Sequence, residues 1–313
     1  MQIHEFTVES LKTRLDKYLS EQLASISRSR IQHDIEGGCV EVNGGIITES
    51  KFVVRLDDKI VYRPSEVLTE ELKPTNTPLK ILYNDNGLLI IDKPAGMTVH
   101  PGAGFKGATL ASALLYQFKG IHLVGEDHRP GIVHRLDKDT SGVILVATKQ
   151  EMYEHLKNAF LERKVKKEYI ALVFGKVEKP HGLIETPIGK SKTDFRKQTT
   201  SNPVEGKEAV TEYKVLEYLT SGVDVYTLIM VKLHTGRTHQ IRVHFSSQDH
   251  PLMGDSLYGG KRAVLKGLDR QFLHAKKIEV QLPDKSWIEA ESEFPKDLKE
   301  VLVSLNSKSV KNL

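Results

Sequence analysis

The sequence predicts an α+β chain in two parts. A small helix-and-strand module precedes a larger domain built on a mixed, largely antiparallel sheet flanked by helices and loops. Three observations carry this. The stretch PSEVLTEELKPTNTP, Pro64 to Pro78, mixes prolines and glutamates without apolar periodicity and reads as a linker. Helical and strand patterns beyond Leu79 do not alternate strictly, which speaks against a doubly wound sheet. The runs VTEYKVLEYL and VDVYTLIMVKL, separated by Thr-Ser-Gly, read as an antiparallel hairpin. The expected divisions are a module over 1–63, a linker over 64–78, a large domain over 79–300 and a loose tail over 301–313.

In chain order, LDKYLSEQL spaces Leu15, Leu19 and Leu23 four apart, one helical stripe. SRSRIQHDIEGG reads as a second helix, with Ser27 as N-cap and Gly37-Gly38 as its stop. CVEVNG and KIVYR follow as short strands, with Asn43-Gly44 as a turn. Beyond the linker, ILYNDNGLLIID gives two strands around Asn84 to Gly87, and ATLASALLYQF a helix. VILVAT reads as a buried strand. QEMYEHLKNAFLERK is an amphipathic helix with Met152, Leu156, Ala159 and Phe160 on one side, and KKEYIALVFG is a further strand.

At 313 residues and 39% hydrophobic content, the chain can bury a substantial core. Its 45 Lys+Arg nearly balance 41 Asp+Glu, but Lys157 to Lys207 holds twelve bases against six acids. Such asymmetry favours a polyanion approaching one face. The single cysteine, Cys39, excludes a disulfide framework and any all-cysteine metal site, so a reducing cytoplasm is expected. MQIHEFTVESLK lacks the features of a secretory signal, and no run reaches the roughly 18 apolar residues that span a bilayer.

Several chemistries fall away on spacing. GAGFKG, Gly102 to Gly107, fits a dinucleotide fingerprint, with Glu126 and Asp127 as ribose-binding acids. Pro101 sits where a strand should enter the first glycine, and the downstream strands read as antiparallel. Asp137 to Gly142 opens like a calcium loop, yet Thr148 stands where its closing carboxylate belongs. His234, His239 and His244 are five apart, a spacing that converges neither on a helix nor on a strand, so no metal is expected. There is no G-x-S-x-G elbow. On residues alone, Asp137 in HRLDKDTSG stands between a turn-capping carboxylate and a catalytic one.

HRLDKDTSG resembles the signature of the RluA-type pseudouridine synthases. LLIIDKPAGMTVHPG, KKEYIALVFG, LHTGRTHQIRVHF, PLMGDSLYGG and FLHA resemble further family blocks, in consistent order from Leu79 to Pro295. RLDKYLSEQL, SRSRIQ and VEVNG resemble an S4 RNA-binding module. This layout implies an enzyme of large-subunit (23S) ribosomal RNA or the pre-ribosomal large subunit, needing no cofactor or metal; the oligomeric state stays open, with a monomer as the default expectation. The alternatives are a relative acting on another rRNA or tRNA site, or a non-catalytic RNA-binding or ribosome-assembly factor.

The resemblance assigns Asp137 as the catalytic residue, Tyr169 as a stacking residue and candidate base at C2′, and Arg242, after Ile241, as the basic partner and substrate-binding segment. It nominates Arg135 to fill the place of a uridine drawn from the stack. Isomerisation breaks the N1–C1′ bond, turns the held base and rejoins it through C5. A carboxylate serves this chemistry as nucleophile or as charge stabiliser. His134 is expected to shape the loop, with Thr140 and Ser141 bonding its backbone. Lys166 and Lys167 in ERKVKKEY, and the loop KSKTDFRKQ, are expected to grip phosphates. In the module, Arg14, Lys17, Arg28 and Arg30, with Lys12, give a basic helical face on a unit of nine bases and ten acids.

Overall fold

The computed structural model describes residues 3–313 apart from 10–11, 24–25, 27, 66–71, 102–106, 127–128, 195 and the side chains of 29, 30 and 312. The Ser27 cap, Asp127, GAGFKG except Gly107, and the middle of the linker therefore lie outside the described residues. Two compact units form, Met1–Glu71 and Leu72–Leu313.

The first unit runs β1 (His4–Thr7), β2 (Thr13–Arg14), α1 (Leu15–Gln22) and α2 (Arg28–Glu36), then β3 (Val40–Val42), β4 (Gly45–Ile47), β5 (Val53–Val54) and β6 (Lys59–Tyr62). A four-stranded antiparallel sheet has the order β1-β6-β3-β4, and β2 pairs with β5. The leucine stripe of α1 packs with Ile31 and Ile35 of α2 on Val40, Ile60 and Tyr62. Asn43 takes φ 51° at the β3–β4 turn, a left-handed position that asparagine tolerates.

The second unit opens with β7 (Lys80–Asp85), β8 (Leu88–Lys93), α3 (Leu110–Gln117) and the short strands β9 (Gly125–Glu126) and β10 (Arg129–Pro130). Next come β11 (Ser141–Ala147), α4 (Gln150–Leu161), β12 (Lys166–Phe174) and β13 (His181–Ile184). A small three-stranded sheet follows, from β14 (Ile188–Lys190), β15 (Gln198–Thr199) and β16 (Val204–Lys207). The chain continues through β17 (Thr211–Ser221), β18 (Asp224–Leu233), α5 (Gln240–Ser247), β19 (Leu273–Gln281), β20 (Trp287–Glu291) and α6 (Lys296–Ser304).

Nine strands form the main sheet in the order β13-β17-β18-β12-β19-β11-β8-β7, with β20 on β19. It is antiparallel except where β11 meets β19 over Ser141↔His274 and Gly142↔Ala275. Alternation along β12 divides two cores: Tyr169, Ala171 and Val173 face the side of α3 and α4, and Ile170 and Leu172 face α6. Because both faces are covered, β11 is buried throughout and its sequence reads as one apolar run. α3 begins at a reciprocal cap in which the Ser112 N–H donates to Thr109 Oγ1 and the Thr109 N–H donates to Ser112 Oγ.

Three details differ from the sequence expectation. The long hairpin turns at Gly222-Val223, because Thr220 and Ser221 pair with Val225 and Asp224 instead of leaving the ladder. The tail expected to be loose is docked: Leu302 and Leu305 are buried, and Glu217 accepts from Ser307 Oγ at 2.6 Å and from the N–H groups of Lys308 and Ser309. The distal half of the linker lies on α3, with Gln117 Nε2 donating to the Thr77 carbonyl at 2.6 Å and Thr75 Oγ1 2.8 Å from Ser112 Oγ. In the last two cases polar contacts distant in sequence override a locally turn-like composition.

Candidate active site

HRLDKDTSG is a loop entering β11. Leu136 is buried beneath it, and the Thr140 N–H donates to the Asp137 carbonyl, closing a turn that leaves the Asp137 carboxylate facing a cleft. Gly142 ends the motif at φ 116°. A Cβ there would lie 2.1 Å from the Ala275 carbonyl oxygen, so the close parallel seam with β19 requires glycine. The hydroxyls of Thr140 and Ser141 do not serve the loop backbone as expected. Thr140 Oγ1 accepts from Gln271 Nε2, and Ser141 Oγ pairs with His274 Nδ1 at 3.1 Å, because β19 and the segment before it run alongside. His134 shapes the loop: its Nε2 accepts the Leu145 N–H at 2.8 Å and its ring stacks on Phe160. Burial, then the nearby Lys167 charge, drives its pKa down to about 3, so it is neutral.

Arg242 projects from α5 and spends its fork unequally. Nε and Nη2 donate to Asp255 Oδ2 and Oδ1 at 2.7 and 2.9 Å, leaving Nη1 for Asp137 Oδ2 at 3.0 Å. Asp255 is buried and also accepts the Leu257 and Tyr258 N–H groups at 3.0 Å. Burial pulls the Arg242 pKa down, but Asp255 and then Asp137 outweigh it, so the guanidinium stays charged. Asp137 remains 15% exposed, with an oxygen turned to the cleft. Tyr169 reaches the same cleft from β12, and burial, then the Asp137 charge, holds its hydroxyl proton well beyond the usual phenol range.

The cleft has a volume of about 660 Å³. Its lining includes seven arginines and lysines against one carboxylate, Asp137. Arg135 is exposed at the lining and Ile241 is buried in it. Lys167 lines it with its ammonium 5.5 Å from the Phe160 ring centre, and burial lowers its pKa to about 8. Lys166, one residue earlier and so on the other face of the strand, pairs with Glu279 at 2.8 Å over the Trp287 ring, outside the cleft. Arg196 of the KSKTDFRKQ loop is held by Asp194 of the same loop.

In the first unit, Arg14 and Arg28 both donate to the buried carboxylate of Asp16, and Lys17 lies 3.7 Å from Glu21. The expected basic face is thus partly neutralised, and the side chain of Arg30 lies outside the described residues. The three spaced histidines diverge: His234 to Glu212, His239 to Tyr258, and His244 to Thr186 and Thr211.

Sequence reasoning missed Lys93, Asp255, His239 and Tyr258 as site residues, although the quoted blocks contain them. Lys93 is fully buried at the end of β8 and donates to the carbonyls of Pro94, Met97 and Lys138 at 2.9–3.0 Å, tying the Asp137 loop to the first hairpin. Burial takes its pKa down to about 7, against the opposing charges of Asp137 and Asp139. A buried charge inside an apolar run was the available signal.

A family model described as RNA pseudouridylate synthase matches residues 87–247, half of the chain and all of the cleft residues from Asp137 to Arg242. The chain belongs to the RNA pseudouridine synthase family. An S4 domain model matches residues 13–60. An uncharacterized RNA pseudouridine synthase of Aquifex aeolicus is 42% identical over 83% of this chain and 81% of its own length. The ribosomal large subunit pseudouridine synthase D of Haemophilus ducreyi is 36% identical over 97% and 94%. Among solved structures, human RNA pseudouridylate synthase domain containing 1 superposes with a TM-score of 0.57 at 28% identity, covering 71% of this chain and 85% of that one. The α+β class expected from sequence and the family fold therefore agree. Among the described residues, no helix is long and apolar enough to cross a membrane.

Proposed function

We propose that this pseudouridine synthase isomerises uridines of large-subunit (23S) ribosomal RNA, in the cytoplasm and as a monomer, with Asp137 as its catalytic group. The observation that carries the reading is the Asp137–Arg242 pair, 3.0 Å apart in a cleft whose other charged lining is basic. The large-subunit substrate rests on the relatives so named.

The reaction exchanges an N1–C1′ bond for a C5–C1′ bond, C5 giving up its proton and N1 taking one up, so its atoms balance without a redox partner. Asp137 supplies a fixed anion, as nucleophile or as stabiliser of the charge that develops when the glycosidic bond opens. Arg242 holds that anion through a single N–H, leaving the other carboxylate oxygen to the substrate. Tyr169, retaining its proton, suits a stacking surface and hydrogen-bond donor better than a phenolate base. Arg135 stands to occupy the vacated stack, and Lys167 to meet phosphate.

Tritium release from 5-labelled uridine in ribosomal RNA tests the reading. The parent protein releases tritium and Asp137→Asn does not. Pseudouridine mapping of RNA from cells lacking the protein identifies the positions, and unchanged 23S RNA there would refute the substrate.

A further inference from the structure

Beside Asp137 lies a group that the proposed mechanism does not use. His239 precedes α5 with φ 56°, a left-handed conformation uncommon for residues other than glycine. This backbone presents the imidazole to the cleft, with Nε2 3.9 Å from Asp137 Oδ1, the carboxylate oxygen that Arg242 does not bond. That gap is too long for a hydrogen bond. On its far side, His239 Nδ1 lies 2.8 Å from the Tyr258 hydroxyl, which accepts the Gln198 N–H at 2.9 Å.

The surroundings of the two ring nitrogens favour one tautomer. Tyr258 has one proton to donate, and His239 Nδ1 is its acceptor among the described residues. Were Nδ1 protonated, Nε2 would turn its lone pair toward the Asp137 Oδ1 anion 3.9 Å away. Nδ1 therefore accepts, and the imidazole proton sits on Nε2, facing the cleft. Burial lowers the His239 pKa, Arg242 and Arg135 adding to it against Asp137 and Asp255, so the ring is neutral. Burial likewise pushes the Tyr258 hydroxyl up to about 12, so it keeps its proton.

We propose that His239 Nε2–H is the donor that reads the carbonyl of the detached uracil. The inference rests on the pseudouridine synthase reading above. Its chemistry follows from uracil itself. Turning the ring about its N3–C6 axis exchanges N1 with C5 and, with them, the C2 and C4 carbonyls. A fixed donor thus meets a carbonyl oxygen both before and after the turn, so the base is gripped at both ends of it. Cytosine would present an amino group at one of these stages, setting donor against donor, and is rejected.

The test uses the full-length protein, the tritium-release substrate and single-turnover conditions. His239→Phe, which keeps an aromatic ring without the N–H, loses about a hundredfold in rate with RNA affinity unchanged. His239→Gln, with an amide N–H near the same place, restores about a tenth of the parental rate. Tyr258→Phe, which frees the tautomer, gives an intermediate loss. Should His239→Phe fold poorly, an rRNA fragment with sulfur for oxygen at either uracil carbonyl stands in. It slows the parent, and it slows Tyr258→Phe less.

Parental turnover by His239→Phe overturns the proposal, as does a loss confined to RNA binding, or a glutamine variant no better than phenylalanine. Equal slowing of parent and Tyr258→Phe by sulfur also overturns it. A parent inactive on rRNA indicts the functional reading instead.

Discussion

In the first unit, the buried carboxylate of Asp16 receives both forks of Arg14 and Arg28 and the amide of Gln32. In the second, Asp137 receives one N–H of Arg242, whose remaining fork is committed to Asp255. One carboxylate between two guanidiniums is saturated, and its bonds outweigh burial to lower its pKa. One guanidinium between two carboxylates leaves Asp137 with lone pairs to spare. The same ion pair closes a fold in one place and leaves an oxygen open to a cleft in the other. Counting unfilled acceptor sites distinguishes them where partner type does not.

The largest expected effect falls on the unsaturated member. Asp137→Asn keeps shape and removes charge, so turnover drops by about a thousandfold or more while thermal unfolding moves little. Asp255→Asn releases the fork of Arg242 to close on Asp137. Its expected signature is about a hundredfold lower rate with RNA affinity retained, read as a split between kcat and KM. Wild-type turnover in that variant would mean that Asp255 serves stability alone.

Asp16→Asn should do the opposite. It leaves two arginines without their carboxylate and costs the first unit about 2 kcal/mol, measured by hydrogen exchange in the full-length protein, with chemistry on a short stem-loop unchanged. The pH dependence has a definite sign. Because the folded pKa of Asp16 lies below its unfolded value, its stabilisation is present above about pH 4 and disappears as pH falls through the folded value.

The smallest effect separates two neighbouring lysines. Lys167→Met lowers the log–log salt slope of RNA binding by about 0.7 and Lys166→Met leaves it unchanged. Lys167 is charged below its pKa of about 8, so its contribution to affinity declines above that pH. Identical behaviour of the two variants would erase the assignment of Lys167 to the cleft.

What could be read in the sequence followed the range of the interaction. The buried run of β11, the leucine stripe of α1 and the hairpin of β7 and β8 are local patterns, and local patterns are legible. Asp137 and Arg242 were reachable only through family motifs, since 105 residues separate them and no period connects them. Lys166 and Lys167 were grouped as neighbours, although strand alternation assigns them opposite faces. Asp255 and His239 stood inside quoted blocks, but their roles depend on which proton each partner has left to give. The docked tail was missed because its ties run from Ser307 to Glu217, 90 residues apart.

The separation of Asp137 from Arg242 also bears on synthesis. Chains leave the ribosome from the N-terminus, so the carboxylate emerges long before its counter-cation, and Asp255 and β19 follow later still. A truncated or half-made polypeptide therefore lacks the Asp137–Arg242–Asp255 cluster, and on the proposed mechanism turnover waits until β19 has been delivered.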